Sequence, residues 1–243
     1  MPVGIITDTL SVAIGGILGA LIGNKLQDDF KEKLQMIFGV CSMGMGISTV
    51  ILMENMPAVI LSIIIGTALG LAIHLGDKIN TAGCFMQKIV GKFTTSKHTS
   101  LSEADFNAQL VTIIVLFCAS GTGIYGSIIE GISGDPSIMI SKAILDFFTA
   151  MIFACTLGMT VSLIAIPQFI IFMLLFILAN IIYPLTTTSM INDFKACGGI
   201  IMIATGFRMI RVKMFPIADM IPAMILVMPI SWMWTTYITP LLG

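Results

Sequence analysis

The sequence predicts an all-α integral membrane protein of about eight transmembrane helices, arranged as two inverted three-helix repeats (spans 1–3 and 6–8) around a central hairpin (spans 4–5). Three observations carry that prediction. The chain is 57% hydrophobic and 10% charged, where a soluble domain carries about 25% charged residues. A globular fold of this length would lack the polar groups to dress its surface. Apolar runs recur at roughly the 20-residue length a helical crossing needs. Finally, lysine and arginine concentrate in alternate connections between those runs. The net charge of −1 points to no particular partner, and no nucleic acid is expected.

Taken in order, the candidate spans are 3–24, 34–53, 57–75, 107–130, 137–161, 168–186, 196–212 and 217–240. The first lacks a basic segment ahead of its apolar run, and further apolar runs follow closely. It therefore reads as a retained span rather than a signal peptide. Pro167 marks the boundary between spans 5 and 6, and span 7 is short and ends in Arg208 and Arg211. Lys25, Lys31 and Lys33 fall in the first connection, Lys78, Lys88, Lys92 and Lys97 in the third, and Arg208, Arg211 and Lys213 in the seventh. With eight crossings all three lie on one side, and only Lys195 lies on the other. The expectation is a multi-pass protein of the bacterial cytoplasmic membrane with both termini outside the cytoplasm. The connection at 77–105 interleaves lysines with apolar residues at 79, 85, 86, 89, 90 and 93, the pattern of a basic amphipathic helix on the inner leaflet or against other loops.

The repeat rests on matched text. Residues 29–31 and 193–195 both read Asp-Phe-Lys, and residues 57–61 (PAVIL) resemble 222–226 (PAMIL), with separations of 28 and 29 residues. Pro57 is expected to open a helix running inward and Pro222 one running outward. The chain then divides into a first repeat (1–76), the amphipathic connection (77–105), the hairpin (106–161) and a second repeat (162–243). Inverted repeats recur among secondary transporters, whose sites lie near midplane.

Gly134-Asp135-Pro136 signals a tight turn between spans 4 and 5. Counting from it sets Asp146 level with about Thr122 and Lys142 level with about Gly126, with Ser120 and Ser127 within a turn. A charge at mid-helix costs ~2.5–3.5 kcal/mol on insertion scales. Lys142, about 9 Å from the turn, can snorkel on its long stem. Asp146, about 15 Å deep, is too short to do so, and must be protonated, paired or facing water. Lys142 shares its face at i−4 and can pair with it. The bland reading is an ion pair that glues the bundle. The functional one is a polar lining for a solute path. Ser120, Gly121, Thr122 and Gly123 lie opposite, where glycines let backbones approach and can interrupt a helix. Glu130 and Asn180 complete the candidate set: Glu130 reads most simply as a solvated charge at a helix end, and Asn180 as a bond between helices. Asp8 is expected at the outer interface, and Arg208 is placed to snorkel.

The run GSIIEGISGDPSIMISKAILDFFTAMIFACTLGMTVSLIAIP, with GGIIMIATGFRMI and MIPAMIL further on, resembles the bacterial domain-of-unknown-function 554 family over essentially the whole chain. The most specific part is Gly134 to Ser137 followed by Lys142 to Asp146. That resemblance implies a small bacterial inner-membrane protein and implies no activity.

Transport or conduction of a small, charged solute is the leading reading. A structural or partner-binding membrane protein is the alternative. An enzyme is not expected: there is no HExxH, and His74 and His98 lie at or beyond the inner boundary, away from any serine at equal depth. The five cysteines are scattered without a CxxC and read as buried thiols. Cys41-x-Met43-x-Met45 puts only Cys41 and Met45 on one helix face, and Met-rich packing is ordinary, so no metal or cofactor is expected. The expected partners are the lipid bilayer, a small solute or ion, and a second copy through the small-residue face Gly15-Gly16-x-x-Gly19.

Overall fold

A computed structural model describes residues 1–22, 28–91, 106, 110, 113–114, 116–118 and 120–242, and every regular element among them is helical. The helices are α1 (Val3–Ile22), α2 (Asp28–Val50), α3 (Met56–Ala72), α4 (Leu75–Gly91), α5 (Gly121–Ser133), α6 (Ser137–Leu157), the short α7 (Thr160–Leu163), α8 (Ala165–Ile182), α9 (Thr188–Met209) and α10 (Ile217–Met233). A π-helical turn, Trp234–Ile238, leads into a last short helix, α11 (Thr239–Leu242). Lys25, Lys92, Phe93, Lys97 and His98 lie outside the described residues.

Among the described residues, four segments are long and apolar enough to cross a bilayer: Val3–Ile22, Ser137–Leu157, Thr160–Ile181 and Ile217–Leu241. A fifth is the pair Met56–Ala72 and Leu75–Ala82, bent by 62°. Composition explains why the other expected spans fall short. α2 and α9 have 23 and 22 residues, enough for about 33 Å, but each is diluted by charges and glycine. The expected fourth span is cut. Residues 116–118 are helical, Ser120 is extended, and α5 starts afresh at Gly121.

Two compact units emerge: Met1–Gln35 with Lys78–Asn180, and Met36–Asp77 with Ile181–Gly243. They cut across the repeat boundaries read from the sequence. In the first unit α1 runs parallel to α6, with Gly4 against Met139, Gly15 against Phe147 and Ala150, and Gly19 against Met151 and Ala154. Gly16 faces Ser162 on α7. The small-residue face expected to meet a second copy is thus consumed inside the chain, because a Cβ there would strike backbone atoms of α6 or α7. The hairpin turns at Gly134, whose left-handed φ of +71° lets its N–H reach the carbonyl of Glu130 at 2.9 Å. α8 returns parallel to α5, with Phe172 over Gly123 and Phe176 and Ala179 over Gly131. The break between spans 5 and 6 is at Gly158 (φ +65°), not at Pro167. That proline sits in the first turn of α8, where its missing N–H costs nothing. Val12, Phe117, Leu157, Val161 and Ile164 fill the apolar core of this unit.

In the second unit α2 and α9 are antiparallel: Gly39 meets Gly206 and Gly46 meets Gly199, and Ser42 Oγ donates to Met202 O at 3.1 Å. α3 and α10 are antiparallel too, Gly66 lying on Ala223 and Gly70 on Asp219. Buried Asp193 closes the start of α3: Oδ1 accepts the N–H groups of Glu54 and Asn55, both at 2.9 Å, and Oδ2 accepts Asn55 Nδ2 and Ser231 Oγ at 2.9 and 2.6 Å. At the α3–α4 bend, where His74 takes φ +51°, Gly76 N donates to Asp219 Oδ1 at 2.8 Å. Pro222 does not open a helix; α10 begins at Ile217 and holds both Pro222 and Pro229 inside it. Pro57, by contrast, does lie in the first turn of α3. The matched words therefore do not occupy equivalent helical positions: Asp29 begins α2, whereas Asp193 lies more than a turn into α9. Along the connection at 77–105, α4 is helical to Gly91 and exposes Lys78, Phe85 and Lys88.

Candidate functional site

α6 carries its two charges four residues apart, so Lys142 and Asp146 share a face one turn apart. Lys142 Nζ donates to Asp146 Oδ2, as the sequence spacing allowed. It donates also to Asp8 Oδ2 at 3.1 Å. The parallel packing of α1 on α6 brings Asp8 there, fully buried, instead of leaving it at an interface. Gln168, from the first turn of α8, completes the group: its Nε2 donates to Asp8 Oδ2 at 2.8 Å and to Asp146 Oδ2 at 3.3 Å. The Phe172 ring, one turn along α8, lies 5.3 Å from Nζ and adds a cation–π contact. Three helices thus converge on one ammonium, two carboxylates and one amide.

Burial is uneven within the cluster. Asp8 and Gln168 have no exposed surface and Lys142 has almost none, while the Asp146 side chain keeps 12%. Among the described residues, Asp8 Oδ1 and Gln168 Oε1 are buried without a hydrogen-bond partner. So are the hydroxyls of Thr160 and Ser162 on α7.

The broken span faces this cluster. Ser120 takes φ −70°, ψ 140° and its Oγ accepts the N–H of Gly123 at 3.1 Å, an N-cap in the middle of an apolar stretch. Gly121 and Thr122 open α5, and Thr122 is buried. A Cβ on Gly123 would come within 2.9 Å of both Lys142 Cε and the Phe172 ring; glycine there leaves room for the lysine stem. Lys142 therefore lies level with Gly123, and Met139 packs on Gly126. The register differs by about a turn from the expected pairing of Lys142 with Gly126. Gly134 folds back to cap α5, so the turn is asymmetric and equal counting from its centre misplaces the two helices.

Glu130 and Asn180 stand apart from the cluster. Glu130 is buried, not solvated: Oε1 accepts Gly4 N at 2.6 Å and Oε2 accepts Ile5 N at 3.1 Å. It caps α1, offering negative charge to the positive end of that helix, and so sets the height of Asp8 one turn on. Asn180 bonds within its own helix, Nδ2 to Phe176 O at 2.9 Å, and among the described residues its amide bonds to no other helix. Sequence reasoning passed over Gln168 and misplaced Asp8. The available signal for the first was an amide standing directly ahead of the unbroken apolar run of residues 169–179. Among the described residues no three His, Cys, Asp or Glu side chains converge as a metal site.

Comparison with known proteins adds a family and no activity. The family model described as "Protein of unknown function (DUF554)" matches residues 3–232. The uncharacterized protein YqgA of Escherichia coli is 45% identical over 237 residues, covering 98% of this chain and 99% of that one. The uncharacterized membrane protein YdfK of Bacillus subtilis is 24% identical over 229 residues, covering 92% and 93%. No solved structure matches. A match running almost from end to end, together with a relative so similar along its full length, shows that the chain belongs to the DUF554 family.

Proposed function

We propose that this protein is a transporter or channel of the bacterial cytoplasmic membrane, moving a small charged solute along a polar path at the central hairpin. The observation that carries the reading is the Asp8–Lys142–Asp146–Gln168 cluster set against a span broken at Ser120. Stability does not call for such a cluster. Apolar side chains of equal volume would hold three helices together at least as well, since buried ion pairs rarely recover their desolvation cost. What the charges add is selectivity for a charged guest, and what the break adds is a helix N-terminus, the positive end of a helix dipole, inside the span.

The same reading takes eight crossings with both termini outside. Support comes from the length of α2 and α9 and from the recurrence of lysine and arginine on one side. The glycine pairs support an inverted repeat better than the matched words do. Gly39 and Gly46 meet Gly206 and Gly199, so exchanging α2 for α9 turns one contact into the other, as a two-fold axis requires.

The test is reconstitution in liposomes with a panel of inorganic ions and small organic acids and amines. Flux of at least one solute is expected, falling ten-fold or more in Asp146→Asn while the variant stays folded. If no solute moves, the cluster is a structural joint in a non-transporting membrane protein. The near-complete burial of Asp8 and Lys142 favours that second reading.

A further inference from the structure

We infer that the Asp8–Asp146 pair holds one exchangeable proton, and that this proton is the coupling ion of the transport proposed above, on which the inference rests. Both Oδ2 atoms hydrogen-bond the same two donors, Lys142 Nζ and Gln168 Nε2. Two carboxylates held this close with a single ammonium between them leave one negative charge in surplus. Carboxylates sharing a site cannot both stay ionised cheaply, and at the buried end of a membrane span the surplus is dearer still. The charged and titratable groups near the pair are few. α6 supplies Lys142, α1 supplies Asp8 itself, and α8 presents Gln168 and Phe172, neither of which carries charge. Cys118, ahead of the break, is buried in the adjoining apolar core. The Glu130 carboxylate, a turn away along α1, is occupied by the amides of Gly4 and Ile5. No second cation appears among the described residues around the pair.

An independent observation points to the same occupant. Among the described residues, Asp8 Oδ1 and Gln168 Oε1 are acceptors without donors, on side chains with no exposed surface. The amide cannot be turned to relieve this, because its Nε2 must face the two carboxylates. A proton on the pair removes the surplus charge and converts one acceptor into an O–H donor. Asp146, the most exposed member of the cluster, is the port through which the proton enters and leaves. The step is a plain acid–base exchange: the proton arrives from water on one side, resides on the carboxylate pair, and is released to water on the other side as the solute crosses.

Infrared spectroscopy of the full chain in lipid nanodiscs tests the proton without knowledge of the solute. The expected result is the carbonyl stretch of one protonated carboxyl group per chain that titrates with pH, shifts in heavy water, and disappears in Asp8→Asn and in Asp146→Asn. The heavy-water shift is read on the unaltered chain, so a variant that misfolds does not spoil the test. Absence of a titrating band overturns the proposal. So does thermal stabilisation by sodium chloride but not by choline chloride, which would make a metal cation the occupant. Solute flux without a titrating band would leave the transport reading standing and sink the proton. A titrating band whose proton never accompanies solute across proteoliposomes would sink the coupling alone.

Discussion

At the residue scale the chemistry turns on Lys142, the one cation between two buried carboxylates. Removing it leaves the charge on the carboxylate pair uncompensated, and breaking a buried pair from one side costs ~3–5 kcal/mol. Lys142→Met should therefore destabilise strongly. Adding Asp8→Asn and Asp146→Asn to it should recover most of the loss, because the triple variant leaves no charge in the cluster. Thermal unfolding in detergent reads both outcomes. A melt in which the triple variant is no better than the single one would show that the lysine acts through packing. Glu130 makes a separate prediction. Its two bonds to the start of α1 are charge-assisted, worth about 1.5–3 kcal/mol each, and Glu130→Gln keeps an acceptor but loses the charge. Hydrogen exchange at Gly4 and Ile5 should speed up several-fold while exchange in α9 is unchanged. The Lys142–Asp146 contact was legible from spacing alone. The burial of Asp8 was not, since depth was counted from the chain start, and that start is itself covered by a carboxylate from α5.

At the scale of elements, glycine decides which helices touch. A Cβ on Gly46 would meet Gly199 O at 2.5 Å and Ile203 Cγ1 at 2.7 Å, whereas Gly44, two residues away, has nothing within 4 Å. Gly46→Leu should force α2 off α9 at an overpacking cost of about 1–3 kcal/mol. Gly44→Leu should be close to neutral. Comparing the two melting midpoints separates contact from helix propensity, because both changes gain the same propensity. Equal midpoints would mean the α2–α9 crossing does not carry stability. This crossing explains why part of the fold escaped the sequence. Matching words such as Asp-Phe-Lys caught the eye, yet one copy starts its helix and the other lies more than a turn inside, where Asp193 is engaged in closing α3. Glycine spacing was the truer signal, hidden because glycine is common in any membrane helix. The break at Ser120 was more readable: a serine ahead of Gly-Thr-Gly offers both an N-cap and weak helix formers.

At the scale of the whole molecule the open quantity is how many times the chain crosses. Apolarity counts only surface that meets lipid, and helices that cover each other can be less apolar and still cross. α9, with Asp193, Lys195 and Arg208, is long enough to cross but fails on composition. Topology decides it by parity. Asp135 and Thr186 are separated by α6 and α8, two segments that qualify as spans, so both should lie on one side. Thr186 and Lys213 are separated by α9 alone, and Lys78 and Asp135 by the broken span alone. With native cysteines replaced, single cysteines at Asp135 and Thr186 should react with an impermeant maleimide on intact spheroplasts. Cysteines at Lys78 and Lys213 should react only after permeabilisation, as the positive-inside rule requires. Labelling of Thr186 and Lys213 from the same face would take α9 out of the set of crossings, and with it the inverted repeat, since α2 would lose its counterpart.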